Sequence, residues 1–223
     1  MMIRIVALVC FLLLSACTNY SIDSSRSPPS LPYSTWEIGL LAPSYMEAWV
    51  ESVDVLDQSG HGYYRVHGGV VSVQNPPNNR GDPRGWPRRP GAGASRPMRD
   101  IDLPKVVFVR WQSLAEQQTY RVRIPIDDWV REEMLISRDA YCRFDGAHIK
   151  DYRRVVTIGL APGGIAKVWL SGDCVEPIEV GRFEGMINPN GPYDGLSNGE
   201  HYRPPSEHAQ RYIDTHGIPF DSW

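Results

Sequence analysis

The sequence predicts a mainly β protein, α+β in detail: a single antiparallel-sheet or sandwich-like domain with a short mid-chain helix and a C-terminal helix. Three observations carry this. Two runs rich in β-branched and apolar residues, 155–160 and 165–170, flank the break Ala161-Pro162-Gly163-Gly164. Proline presets the φ of a first turn corner, and the glycine beside it accepts the positive φ of a type II corner. Glycine and proline number 20 and 19 in 223 residues, which suits many turns and short strands better than long helices. Period-two alternation recurs, as in Tyr120, Val122 and Ile124 against Arg121 and Arg123. A hairpin alone is marginal in water, so the Pro-Gly hairpin requires further strands and a face to cover.

The first 16 residues read as a leader. Arg4 precedes a short apolar run, Ile5 to Leu14, too short for a stable membrane span. The run ends in Leu14-Ser15-Ala16-Cys17, the pattern of a bacterial lipobox, so Cys17 is expected to carry the lipid. Several acyl chains on one cysteine anchor far more firmly than a single chain. Thr18 follows instead of the aspartate that retains lipoproteins at the inner membrane. The expectation is an outer-membrane lipoprotein facing the periplasm. Residues 17–34, rich in Ser and Pro, form the lipidated N-terminus and tether, and residues 35–223 the domain. Cys10 leaves with the leader, so Cys142 and Cys174 remain to pair in an oxidising compartment. That bridge closes a loop of about 33 residues, worth roughly 3–4 kcal/mol. A zinc site or a redox pair would need a closer CxxC spacing.

Along the domain, residues 35–43 and Ala48–Asp57 read as strands, and residues 62–73 supply one or two more. Residues 105–114 and 119–126 form a second hairpin. Asp127 then caps a short helix over residues 127–136, with Trp129, Val130 and Met134 towards the core. Residues 179–187 are a further strand. A terminal helix runs over Glu207–His216, capped by Ser206 and stopped by Gly217.

Residues 74–104 differ from their surroundings. Seven of these 31 residues are proline, and six arginines face three aspartates, a net charge of +3. The loop belongs to a chain of net charge −3. Long loops inside compact domains are functional or disordered. Arginine and tryptophan are residue types that interfaces favour, which marks Arg84, Trp86, Arg88 and Arg89 as candidate partner contacts. The other reading is a solvated loop salt-bridged to the acidic body. The net negative charge and the expected compartment both argue against nucleic acid as a partner.

The sequence assigns no active site. Gly195-Leu196-Ser197-Asn198-Gly199 matches GxSxG, but the strand before and the helix after that a nucleophile elbow needs are missing. His201, His208 and His216 are spaced by seven and eight residues, which is not a metal-binding pair. Neither glycine pair, Gly68-Gly69 or Gly163-Gly164, opens a helix with a following lysine, so no phosphate loop is read. No cofactor and no metal are expected.

At Trp111 to Leu114 (WQSL), Tyr120, residues 157–172 (TIGLAPGGIAKVWLSG) and the ending YIDTHGIPFDSW, the chain resembles a proteobacterial lipoprotein family, the domain-of-unknown-function family 2931. The resemblance runs from about Trp36 onward and is densest after Pro104. It implies gene company: such lipoproteins look similar to those found beside phospholipase effectors of type VI secretion systems. On that footing the chain is a protein-binding module and no enzyme, an immunity protein for a lipase effector, with Arg84, Trp86, Arg88 and Arg89 as its contacts. A general envelope structural or assembly lipoprotein without a toxin partner is the alternative, and a periplasmic hydrolase built on Ser197 the third reading.

Overall fold

A computed structural model describes residues 29–71, 76–200 and 202–223. Cys17, the leader, the tether up to residue 28, the start of the 74–104 loop and His201 lie outside the described residues. Twelve strands and two helices are described. In chain order they are β1 (Thr35–Leu41), β2 (Ala48–Asp57), β3 (Gly62–Val70), β4 (Ala94–Arg99), β5 (Pro104–Ser113) and β6 (Gln118–Pro125), then helix α1 (Asp128–Leu135). There follow β7 (Ser137–Cys142), β8 (Ala147–Tyr152), β9 (Val155–Ala161), β10 (Ile165–Ser171), β11 (Ile178–Glu184), β12 (Met186–Ile187) and helix α2 (Glu207–His216).

The strands make two five-stranded sheets, β11-β10-β9-β1-β4 and β12-β6-β5-β2-β3, plus the separate hairpin β7-β8. The mainly β expectation therefore stands. Trp36, Ile38 and Leu40 of β1 and Val156, Ile158 and Leu160 of β9 face Val107, Val109 and Trp111 of β5 in one buried cluster. Period-two spacing places each trio on one face of its strand. The Pro-Gly hairpin forms as the sequence predicts, with Ala161 opposite Ile165, and Gly163 takes φ 77° at the corner. β9 is buried along its whole length, and β10 at every position but the half-buried Lys167.

Five details differ from the sequence expectation. The sheet holding β9 is not purely antiparallel, because β1 runs parallel to β9 with Glu37 beside Val155. The loop over 74–104 is interrupted by β4, which pairs with β1 through Glu37 and Pro97. Proline is tolerated there because β4 is an edge strand and lacks only an outward N–H. Residues 179–187 split at Gly185, whose N–H donates to the Gly164 carbonyl, into β11 in one sheet and β12 in the other. Asp127 sits at the cap position of α1, but its side chain makes no capping hydrogen bond. Finally, α1 buries Val130 and Met134 at helical spacing while Trp129 stays 44% exposed.

Buried polar side chains fasten the C-terminal segment to the outside of the second sheet. Glu51 accepts from the Gln112 side chain at 2.9 Å and from the Tyr193 N–H at 2.8 Å. Gln112 in turn accepts from the Arg203 N–H, and the Arg203 guanidinium lies 4.0 Å from the centre of the Trp49 ring. Glu47 takes both the N–H and the hydroxyl of Ser206, and Ser206 accepts from the Ala209 N–H as the α2 cap. The WQSL residues thus act as core and as bracket.

Candidate protein-binding surface

The proline- and arginine-rich loop is pinned to the domain. Tyr45 donates to the Pro76 carbonyl at 2.7 Å and accepts from the Gly81 N–H at 3.1 Å. The Tyr45 ring stacks on Tyr212 of α2 with centroids 4.0 Å apart. The Trp223 indole donates to the Pro83 carbonyl at 2.8 Å. Trp86 meets Trp169 of β10 edge-to-face at 5.3 Å, and its indole Nε1 is buried without a hydrogen-bond partner among the described residues. The ending YIDTHGIPFDSW therefore supplies the floor on which the loop lies.

The four arginine and tryptophan candidates do not share one hollow. Arg84 and Trp86 line a recess beside Pro43 and Gly91. Arg84 is exposed and forks onto Asp82 at 2.9 and 2.8 Å, which pulls the Asp82 carboxyl down to about 2. Trp86 is half-buried in its contact with Trp169. Arg88 is exposed and makes no hydrogen bond or ion pair among the described residues. Arg89 belongs to a second hollow of about 650 Å³, where it pairs with Glu176 across from Tyr141, Arg143 and Phe144.

That hollow is bounded by the β7-β8 hairpin, which the sequence reading missed. Asp145-Gly146 between AYC and AHI is the local signal for it, a turn dipeptide between two strand-like runs. Cys142 and Cys174 form a disulfide with Cα atoms 4.9 Å apart, tying the turn end of the hairpin to the segment after β10. Asp151 accepts from the Cys174 N–H at 2.8 Å and supports the same junction. At the base, Glu133 pairs with both Arg138 and Arg153. Burial works to raise the Glu133 carboxyl, but the two guanidiniums outweigh it and hold the group below its ordinary value.

The tip carries Phe144, 91% exposed, with Tyr141 behind it at 55%. Of the twelve exposed large hydrophobic residues among those described, five fall between Trp129 and Phe144. Apolar exposure is thus concentrated on α1 and its hairpin instead of being scattered singly.

The other sequence candidates take structural positions. The Ser197 hydroxyl donates to the Pro192 carbonyl at 2.9 Å within a run of turns. His208 and His216 flank the Tyr45–Tyr212 stack at 5.6 and 4.4 Å. No group of three or more metal-ligating side chains occurs among the described residues. Among the same residues, no helix is long and apolar enough to cross a membrane.

A family model described as "Protein of unknown function (DUF2931)" matches residues 18–221. Neither the curated proteins nor the solved structures contain a match.

Proposed function

This chain belongs to DUF2931, a family of proteins of unknown function, and from that premise we propose that it is an immunity lipoprotein. In this reading it is anchored in the outer membrane through Cys17, faces the periplasm, and neutralises a phospholipase effector of type VI secretion by binding it. The reading takes its partner class from the gene company that the resemblance implies. The observation that carries it is the exposed Phe144 on a disulfide-tied hairpin beside Arg89. Aromatic and arginine side chains dominate binding energy, and a hairpin held at both ends loses little freedom on docking. Covering one phenylalanine contributes about 1.5–3 kcal/mol. An aromatic tip of this shape suits the mouth of a lipase, where it would block the entrance or the lid.

The test is genetic and then biochemical. Sequencing the DNA on either side of the gene should reveal a lipase or a type VI spike protein. Periplasmic co-expression of that lipase with this protein should then keep cells intact, and removal of Cys17 should weaken the protection. Housekeeping envelope genes as neighbours, or lysis despite co-expression, would count against the reading.

A further inference from the structure

The solvent side of the second sheet carries a separate hollow of about 440 Å³. Its floor is set by strand register. Phe108 of β5 lies opposite Arg123 of β6, and Arg110 opposite Arg121. Met186 of β12 stands on the far side of Arg121. Phe108 and Met186 remain 40% and 63% exposed. Of the acidic groups nearby, Glu51 and Asp194 hold Arg110, while Asp54 keeps its charge and accepts from the Arg65 N–H at 2.7 Å. Arg121 and Arg123 are exposed, and their side chains make no hydrogen bond or ion pair among the described residues. Two positive charges thus flank an apolar floor, on a protein whose net charge is negative.

We propose that this face is a docking site for an acidic, extended segment of a partner protein, with carboxylates on Arg121 and Arg123 and apolar side chains over Phe108 and Met186. The two arginines are alternate residues of one strand, so they project about 7 Å apart, the spacing of alternate carboxylates on an extended chain. Each guanidinium can take a carboxylate through paired hydrogen bonds. Ser52, Asn188 and Asn190 add neutral polar groups to the lining, and Asp54, Asp194 and Arg110 complete its charged rim. A polypeptide can satisfy such groups with its main chain, which a fatty-acyl chain cannot do. The site goes beyond the immunity reading and does not depend on the partner being a lipase.

The test uses the folded protein and a short synthetic peptide carrying Leu, Glu, Glu and Leu on one face with Ser between. The same peptide with Lys for Glu is the first control, and phosphatidylglycerol vesicles the second. Nuclear magnetic resonance should show Phe108, Arg121 and Arg123 shifting with the Glu peptide alone. The double variant Arg121→Glu/Arg123→Glu should bind it about tenfold more weakly or worse, with the thermal midpoint of the wild type. Phe144→Ala should bind it as wild type does, so failure here and failure of lipase protection are separate results. The proposal is overturned if the Glu peptide leaves these resonances unmoved, if the double variant binds equally, or if the vesicles occupy the face and the peptide does not.

Discussion

Trp86, in the middle of the arginine-rich loop, packs edge-to-face on Trp169 at a centroid distance of 5.3 Å. A loop residue expected at an interface is therefore also the anchor that fixes the loop to β10. Gly159 on β9 makes the contact feasible, since a Cβ there would come within 2.6 Å of the Trp86 ring.

Gly159→Ala should accordingly displace Trp86 and cost about 1–3 kcal/mol, the usual penalty of overpacking. Chemical denaturation measures the loss, and near-ultraviolet circular dichroism should report the disturbed indole pair. An unchanged midpoint would mean that the loop is held by Tyr45 and Trp223 alone.

Stability should fall on acidification in two stages. Burial, the leading cause, holds the His67 imidazole below its ordinary 6.5, so its contribution is complete above that value and declines as pH drops beneath it. Glu133 is likewise depressed from 4.5, against its own burial, by Arg138 and Arg153, so its contribution is present above 4.5 and declines below it. Urea midpoints measured from neutral pH downward should show both stages. Glu133→Gln should lower stability at pH 7 by ~1–2 kcal/mol, the worth of lost charge-assisted hydrogen bonds. It should also flatten the second stage and leave the first.

Reducing the Cys142–Cys174 bridge, whose cysteines are 32 positions apart, should cost roughly 3–4 kcal/mol by the loop-closure relation. Hydrogen exchange should rise most in β7 and β8, which pair only with each other. A uniform rise across both sheets would show instead that the bridge supports the whole sandwich.

The parts legible in the sequence are those with local signatures. The Pro-Gly hairpin is announced by its turn residues, and α2 by Ser206 and Gly217, which occupy its two cap positions. The β5-β6 pair is visible because Arg121 and Arg123 alternate with Tyr120, Val122 and Ile124. By contrast, β4 hides behind Pro97, and the parallel pairing of β1 with β9 has no local mark because its partners are over a hundred residues apart. At the candidate surface, Arg89 and the two cysteines could be named from residue type and count. Phe144 could not, since its value lies in exposure at a hairpin tip. Trp129 misled because helical spacing assigns a face only when the packing partner is known, and the buried face of α1 is set by Val130 and Met134.

The most direct measurement is inhibition of the proposed partner, a phospholipase, by purified wild type and by Phe144→Ala/Tyr141→Ala. Both side chains are exposed, so the variant should keep its thermal midpoint. The account predicts that the inhibition constant rises about thirtyfold or more, the loss expected for a binding hot spot. Undiminished inhibition by the folded variant would contradict the assignment of the hairpin tip as the contact with the enzyme.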